Sequence, residues 1–371
     1  MLSPPLEAAP RAAAPSVVAP TRRFEFIDAA KAIGIVLVVL GHAPGRPDAV
    51  ATLIYGFHMP LFFFISGYLL SPQRADGPLR MAIARSARSL LTPYAFFFAV
   101  SLAYWLATRH LGARAAKFAH VEPADALHGF VTGLSSDLFI NVALWFFPCM
   151  FVVQVLYAAV RRVLPPASAA LVLGGFAVVL LALTQPWTLR WPWGLDIAWI
   201  AIAFYAVGQW WRASSAASGA PGGLSGAWLR RPDAVGAALV VALAAAWLLL
   251  TESQGRVDLA QANFGNMPLL YIPCAAAGIL VVLAVAHRLP ASRALRWLSD
   301  NSLVIFPLHP LLINAASGVA KSLGAGPYGP GAWLLLSLWS IAACVPIAWL
   351  LRRYLPLALG LSAASAARRI P

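Results

Sequence analysis

Lys31 and His42 stand eleven residues apart in IDAAKAIGIVLVVLGH, Ile27 to His42, a run that otherwise reads as an apolar membrane helix. At about 100° per residue this spacing is three turns plus about 20°, so the side chains share one face, about 16 Å apart along the axis. Ionisable groups inside a membrane span are costly and by default mark a functional cavity. Imidazole is the side chain suited to proton transfer near pH 7. Asp28, three residues before Lys31, pairs with it in the plainest reading.

Two further stretches carry chemistry. YGFHMPLFFFISGYLL, Tyr55 to Leu70, sets His58 at one end of a second span, where it can approach His42. Its plain reading is a packed histidine bonding a neighbour, with Ser66 and Gly67 as close-packing residues between helices. SPQRADGPLRMAIARSARSLLTPY, Ser71 to Tyr94, holds Arg85 and Arg88, which three-residue spacing puts on one helix face. Paired guanidinium forks suit a phosphorylated ligand, whereas Arg74 and Arg80 need only the cytoplasmic bias of membrane proteins.

The elements that must position these groups are membrane helices. The 371 residues are 61% hydrophobic and 11% charged, with mean hydropathy +0.76. Windows of about 20 residues give ten spans, at 26–43, 51–70, 89–107, 142–160, 167–184, 194–211, 234–251, 267–286, 300–317 and 332–351. The ninth contains Pro307, His309 and Pro310, and FPLHP is expected to open that helix and free backbone groups. With both termini inside, nineteen Lys and Arg fall in cytoplasmic segments and seven outside. This distribution accounts for the net charge of +14 and removes nucleic acid as a partner. The expectation is an all-α polytopic protein: a disordered cytoplasmic tail over 1–23, a single transmembrane domain over 24–355 and a short basic cytoplasmic tail over 356–371. Cys149, Cys274 and Cys344 sit in apolar runs with no metal-ligand spacing and read as core residues.

IDAAKAIGIVLVVLGH, FHMPLFFFISGYLL and Arg85-x-x-Arg88 before LLTPY together resemble the acyltransferase 3 family of integral-membrane O-acyltransferases. The branch most resembled is fucose 4-O-acetylase-like and includes exopolysaccharide O-acetylases. Lys31 and His42 match the family's basic residue and histidine with ten residues between, Lys standing where many relatives carry Arg. Ser66, Gly67 and Tyr68 match its Ser-Gly-Tyr. LWFFPCMF from Leu144 and NSLVIFPLH from Asn301 are weaker matches.

The resemblance implies transfer of an acyl group, usually acetyl from acetyl-CoA and without a metal, to a hydroxyl of a carbohydrate or lipid-linked oligosaccharide. The expected setting is a bacterial inner membrane, with polysaccharide biosynthesis or export machinery as a partner. It implies Lys31, Arg85 and Arg88 on the donor, and His42 as general base or as carrier of a transient acyl group. His58 and Ser66 complete the catalytic set, and His309, Trp145 and Tyr68 go to the substrate. Tryptophans 187, 191 and 193 can stack on sugar, although a membrane's aromatic belt explains them as well. A transporter with a proton relay through Lys31, His42 and His309 is the rival reading.

Overall fold

A computed structural model describes residues 24–183, 189–217, 229, 231, 233–324, 329 and 331–361. The tail expected over 1–23, Trp187 and residues 362–371 lie outside the described residues. Among the described residues the chain is helical, with one isolated antiparallel bridge between Asp258 and Asn263.

Each of the ten expected spans falls on helix. The first is α1 (Glu25–His42), and the second is divided into α2 (Asp48–Tyr55) and α3 (His58–Leu69). A short α4 (Pro72–Ala75) precedes the third span, which begins early as α5 (Leu79–Ser86) and continues into α6 (Thr92–Thr108). The segment from Arg109 to Asn141 folds into α7 (Ala113–Lys117) and α8 (Pro123–Thr132). The remaining spans are α9 (Phe146–Val160), α10 (Pro166–Leu183), α11 (Leu195–Ala217), α12 (Ala234–Gln254), α13 (Tyr271–Arg288), α14 (Arg293–Ser322) and α15 (Ala332–Tyr354).

Eight of these stretches, among the described residues, are long and apolar enough to cross a membrane. The other two, α1 and α11, carry Glu25, Asp28 and Lys31, and Asp196, Gln209 and Arg212. Both lie inside the bundle. The first packs on α3, α13, α14 and α15, and the second on α3, α9 and α10. A helix enclosed by protein can carry polar groups that a lipid-facing helix cannot. By contrast α10, α12 and α15 expose Leu171, Phe176, Val241, Leu249, Leu335 and Trp349, the apolar surface a bilayer covers.

Proline explains why several spans are not uniform helices. Pro60 has no N–H to offer the Gly56 carbonyl, and the second span breaks there, with Phe57 at φ −143°, ψ −17°, before restarting at His58. Pro93 withholds a donor from Ser89, and the preceding turn, Ala87–Leu91, is wound as a π-helix. The ninth span departs from expectation. FPLHP does not open α14, which runs unbroken through Pro307 and Pro310. The carbonyls that these prolines leave without their helical donors are those of Leu303 and Phe306; close by, the Asn141 amide donates to the Pro307 carbonyl at 2.8 Å and to Ser101 Oγ at 3.0 Å, which ties α14 to α6.

The helix α3 is seated on α11 by two reciprocal glycines. A Cβ on Gly67 would lie 1.9 Å from the Tyr205 carbonyl oxygen, and one on Gly208 would lie 2.1 Å from that of Phe64. Only glycine lets the backbones approach this closely.

Candidate active site

Two cavities lie end to end along the seam between α1, α3, α9 and α14. The first, about 550 Å³, is lined by His42, Tyr55, His58, Trp145, Asp258 and Phe306, among others. The second, about 670 Å³, is lined by Lys31, Ile35, Ser66, Leu90, Ser302 and Phe306, among others. Phe306 lines both cavities, and its ring meets Phe146 at 5.2 Å and Phe147 at 5.9 Å.

Because α1 is one continuous helix, Lys31 and Ile35 face the second cavity and His42 the first, on the single stripe that their spacing predicts. Asp28 accepts a hydrogen bond from the Ser299 hydroxyl at 2.7 Å, which ties α1 to α14. Thus Asp28 holds the helix that carries Lys31 and His42.

Three histidines from three helices cluster here, of which His42 and His58 line the first cavity. His42 and His309 stand edge to face with ring centroids 4.9 Å apart, and Tyr55 lies 5.8 Å from His42 and 5.0 Å from His58. In each histidine Nδ1 approaches the carbonyl four residues back: Val38 at 2.8 Å, Ile54 at 2.8 Å and Ile305 at 3.3 Å. A carbonyl oxygen only accepts, so Nδ1–H donates in each, and in the neutral ring the lone pair is on Nε2. The bond also fixes the ring's orientation. Nε2 of His309 is buried and has no hydrogen-bond partner among the described residues. Such an atom needs an explanation, and an exchangeable ligand nearby is one.

The second cavity has a different character. Lys31 is half-buried there, and Ser66 accepts a hydrogen bond from the Gln154 amide at 3.4 Å, while Gln154 Oε1 accepts from the Ser86 hydroxyl at 2.6 Å. Ser66 is eight residues along α3 from His58, about 12 Å. It lines the same cavity as Lys31, away from His42 and His58. Arg85, in the last turn of α5, and Arg88, in the π-helical turn, are both exposed at the same end, five and two residues before Leu90 in the cavity wall. The wider winding of that turn changes the angle between them from the one a regular helix gives.

The remaining expected site residues divide. Trp145 and His309 are at the first cavity and the histidine cluster. Tyr68 lines neither cavity. It is buried at the opposite end of α3 among Phe24, Phe26 and Phe64, with the Arg212 guanidinium 5.9 Å from its ring. Trp193 donates its indole N–H to the Val131 carbonyl at 2.9 Å and packs on Phe151, a structural role.

Sequence reading missed Tyr55, Asp258, Gln261, Gln154 and Phe306. Asp258 and Gln261 lie in a loop with no recognisable motif, and Phe306 looks like any core aromatic until the cavities on its two sides are seen. Among the described residues no three His, Cys, Asp or Glu side chains converge as metal ligands.

Neither the curated proteins nor the solved structures contain a match to this chain. A family model described as an acyltransferase domain matches residues 24–353, which include both cavities and every helix that lines them. The chain belongs to the acyltransferase 3 family and is a multi-pass membrane acyltransferase.

Proposed function

We propose that the protein moves an acetyl group from acetyl-CoA to a sugar hydroxyl of an exopolysaccharide, envelope glycan or lipid-linked precursor at a bacterial inner membrane. The observation that carries the reading is the pair of cavities meeting at Phe306, one with Lys31 at its basic end and one lined by His42 and His58, with His309 packed on His42.

The donor combines a phosphate-rich head with a thioester on a long arm. Arg85, Arg88 and Lys31 supply the cations for the phosphates. The path from Lys31 through the second cavity to His42 in the first, about 16 Å along α1, suits the arm. The second cavity is lined largely by Ile, Leu and Phe, with Ser66 and Ser302 as polar contacts for amides. The thioester then lies beside Phe306, at the threshold of the histidine cavity.

In the first cavity the acceptor hydroxyl gives its proton to His42 Nε2 as its oxygen bonds to the acetyl carbon. The carbon–sulfur bond breaks, the thiolate leaves, and the imidazolium returns the proton to it. The Nδ1–H bond to Val38 orients the ring and stabilises the charge it gains. His58, whose Nδ1–H is taken by the Ile54 carbonyl, offers Nε2 to the cavity as a hydrogen-bond acceptor for hydroxyls of the sugar. The same geometry allows His42 Nε2 to accept the acetyl group first and then pass it to the hydroxyl. Arginine-rich segments at the Lys31 end favour a cytoplasmic donor and transfer toward the opposite face.

The test uses purified protein in detergent micelles with labelled acetyl-CoA and a panel of glycan acceptors. Acceptor-dependent incorporation of label without any proton gradient is expected. Label confined to acetyl-CoA across the panel, together with gradient-driven glycan movement in vesicles, overturns the reading in favour of transport.

A further inference from the structure

The loop from Gly255 to Met267 closes one side of the histidine cavity and is fixed in place by three other segments. Asp258 and Asn263 exchange backbone hydrogen bonds at 2.8 and 3.0 Å, and the Ala260 amide donates to Asp258 Oδ1 at 3.1 Å. The Ala260 carbonyl accepts from the Ser135 hydroxyl at 2.6 Å and from Arg190 at 3.2 Å. Arg190 is itself held by Asp196 at 2.6 Å, and Gln261 donates to Ser135 at 2.9 Å. The Arg256 guanidinium covers the Tyr55 ring at 4.3 Å. A loop with so many cross-links presents its side chains to the cavity in one geometry.

What it presents is a carboxylate. Asp258 lines the cavity that holds His42 and His58, with the Gln261 carboxamide beside it and Trp145 also in the wall. Burial pushes the Asp258 carboxyl above the ordinary range, and Arg256 opposes that shift. A partly desolvated carboxylate lacks the water it would otherwise bind and gains most from hydroxyl donors delivered by a ligand. An indole face, a carboxamide and a carboxylate form a usual set of contacts for a polyhydroxylated ring. Arg256 and Arg190 are engaged with Tyr55, Asp196 and Ala260, and neither is in the cavity wall.

We propose that Asp258, with Gln261 and Trp145, forms the acceptor subsite, binds a neutral sugar through a hydroxyl next to the one acylated, and rejects sugars that carry a carboxylate. The inference rests on the acetyl-transfer reading for its setting. Like charges at such short range disfavour a uronate ring, whereas a neutral ring hydroxyl donates to Asp258. Asp258 is a positioning and selectivity residue, and His42 remains the group at the reacting atoms.

Methyl glycosides of neutral hexoses and of hexuronic acids are the probes, with wild type, Asp258→Asn and Gln261→Ala. Asp258→Asn keeps the size of the side chain and an oxygen for the Ala260 amide. Expected is a rise of about tenfold in KM for neutral acceptors, with donor KM unchanged. The ratio of uronate to neutral turnover is expected to increase in the same variant, an effect that a merely structural role would not produce. Unchanged acceptor KM with unchanged selectivity overturns the proposal. Direct binding of the glycosides, measured by ligand-observed NMR, separates this from failure of the transfer reading. If wild type transfers nothing, weaker neutral-glycoside binding by Asp258→Asn still supports the subsite, and equal binding sinks it. If Asp258→Asn does not fold, Gln261→Ala takes the same measurements, and equal neutral-acceptor affinity there has the same force.

Discussion

Replacing Gly67 with Ala puts a methyl group 1.9 Å from the Tyr205 carbonyl oxygen, against an ordinary carbon–oxygen approach of about 3.3 Å. The obstacle is main chain on both helices, so no side chain can rotate away, and α3 must separate from α11 by about 1.4 Å to restore contact. Overpacking of this kind costs about 1–3 kcal/mol. The consequence for catalysis is larger, because α3 carries His58 toward one cavity and Ser66 toward the other. A displacement of about 1 Å in a positioning element costs on the order of 100-fold in rate. The assay pairs thermal unfolding of detergent-purified protein with kcat/KM for acetyl transfer. Gly174→Ala and Gly175→Ala serve as controls, since a Cβ at either meets nothing within 4 Å, and both should be stabilising by about 0.5–1 kcal/mol. A Gly67→Ala protein with wild-type unfolding and rate would refute the claim that α3 is registered by this crossing.

Asn141→Leu removes two buried hydrogen bonds, to Ser101 and to the Pro307 carbonyl, and is expected to lower stability by about 1–3 kcal/mol in thermal unfolding; an unchanged midpoint means that Asn141 does not hold α14 to α6. The double variant Arg85→Ala, Arg88→Ala should weaken donor affinity at least about tenfold with little change in acceptor KM, as read by titration with acetyl-CoA, and normal donor binding removes both from the site. For Asp258 the sign follows from burial. Its carboxyl is held above the ordinary range, so on acidification it protonates earlier than an exposed aspartate and loses capacity to accept from the sugar. Acceptor KM should therefore rise as pH falls through that raised value, and Asp258→Asn should flatten the profile; the same slope in both proteins assigns it to another group.

Much of the fold is legible in the sequence because a membrane helix needs about 20 apolar residues and the chain supplies them in separated runs. The stripe of α1 is legible for the same reason: periodicity alone aligns Lys31 with His42. Periodicity does not say which helix faces the stripe. His309 lies 267 positions after His42, and only the packing of α1 on α14 puts their rings 4.9 Å apart. Nor does the motif say which cavity Ser66 enters: it sits about two turns along α3 from His58 and lines the cavity that holds Lys31. Tyr68 follows Ser66 and Gly67 in the same motif, yet its ring completes an aromatic cluster at the far end. Pro60 and Pro93 were visible signals for the helix break and the π-helical turn, and Pro307 and Pro310 were equally visible signals for a break that does not occur. What distinguishes them lies in tertiary packing that proline positions do not encode, since α14 packs on α1, α6 and α15.

The account depends most on His42 as the group that meets the transferred acetyl unit where the two cavities join. Its most direct test is acetyl transfer from labelled acetyl-CoA to the best glycan acceptor, comparing purified wild type with His42→Ala at matched donor occupancy. The account predicts a loss of about 10²–10⁴-fold in kcat with donor affinity retained, because Arg85, Arg88 and Lys31 lie at the other end of the path. Transfer by His42→Ala at the wild-type rate would contradict it.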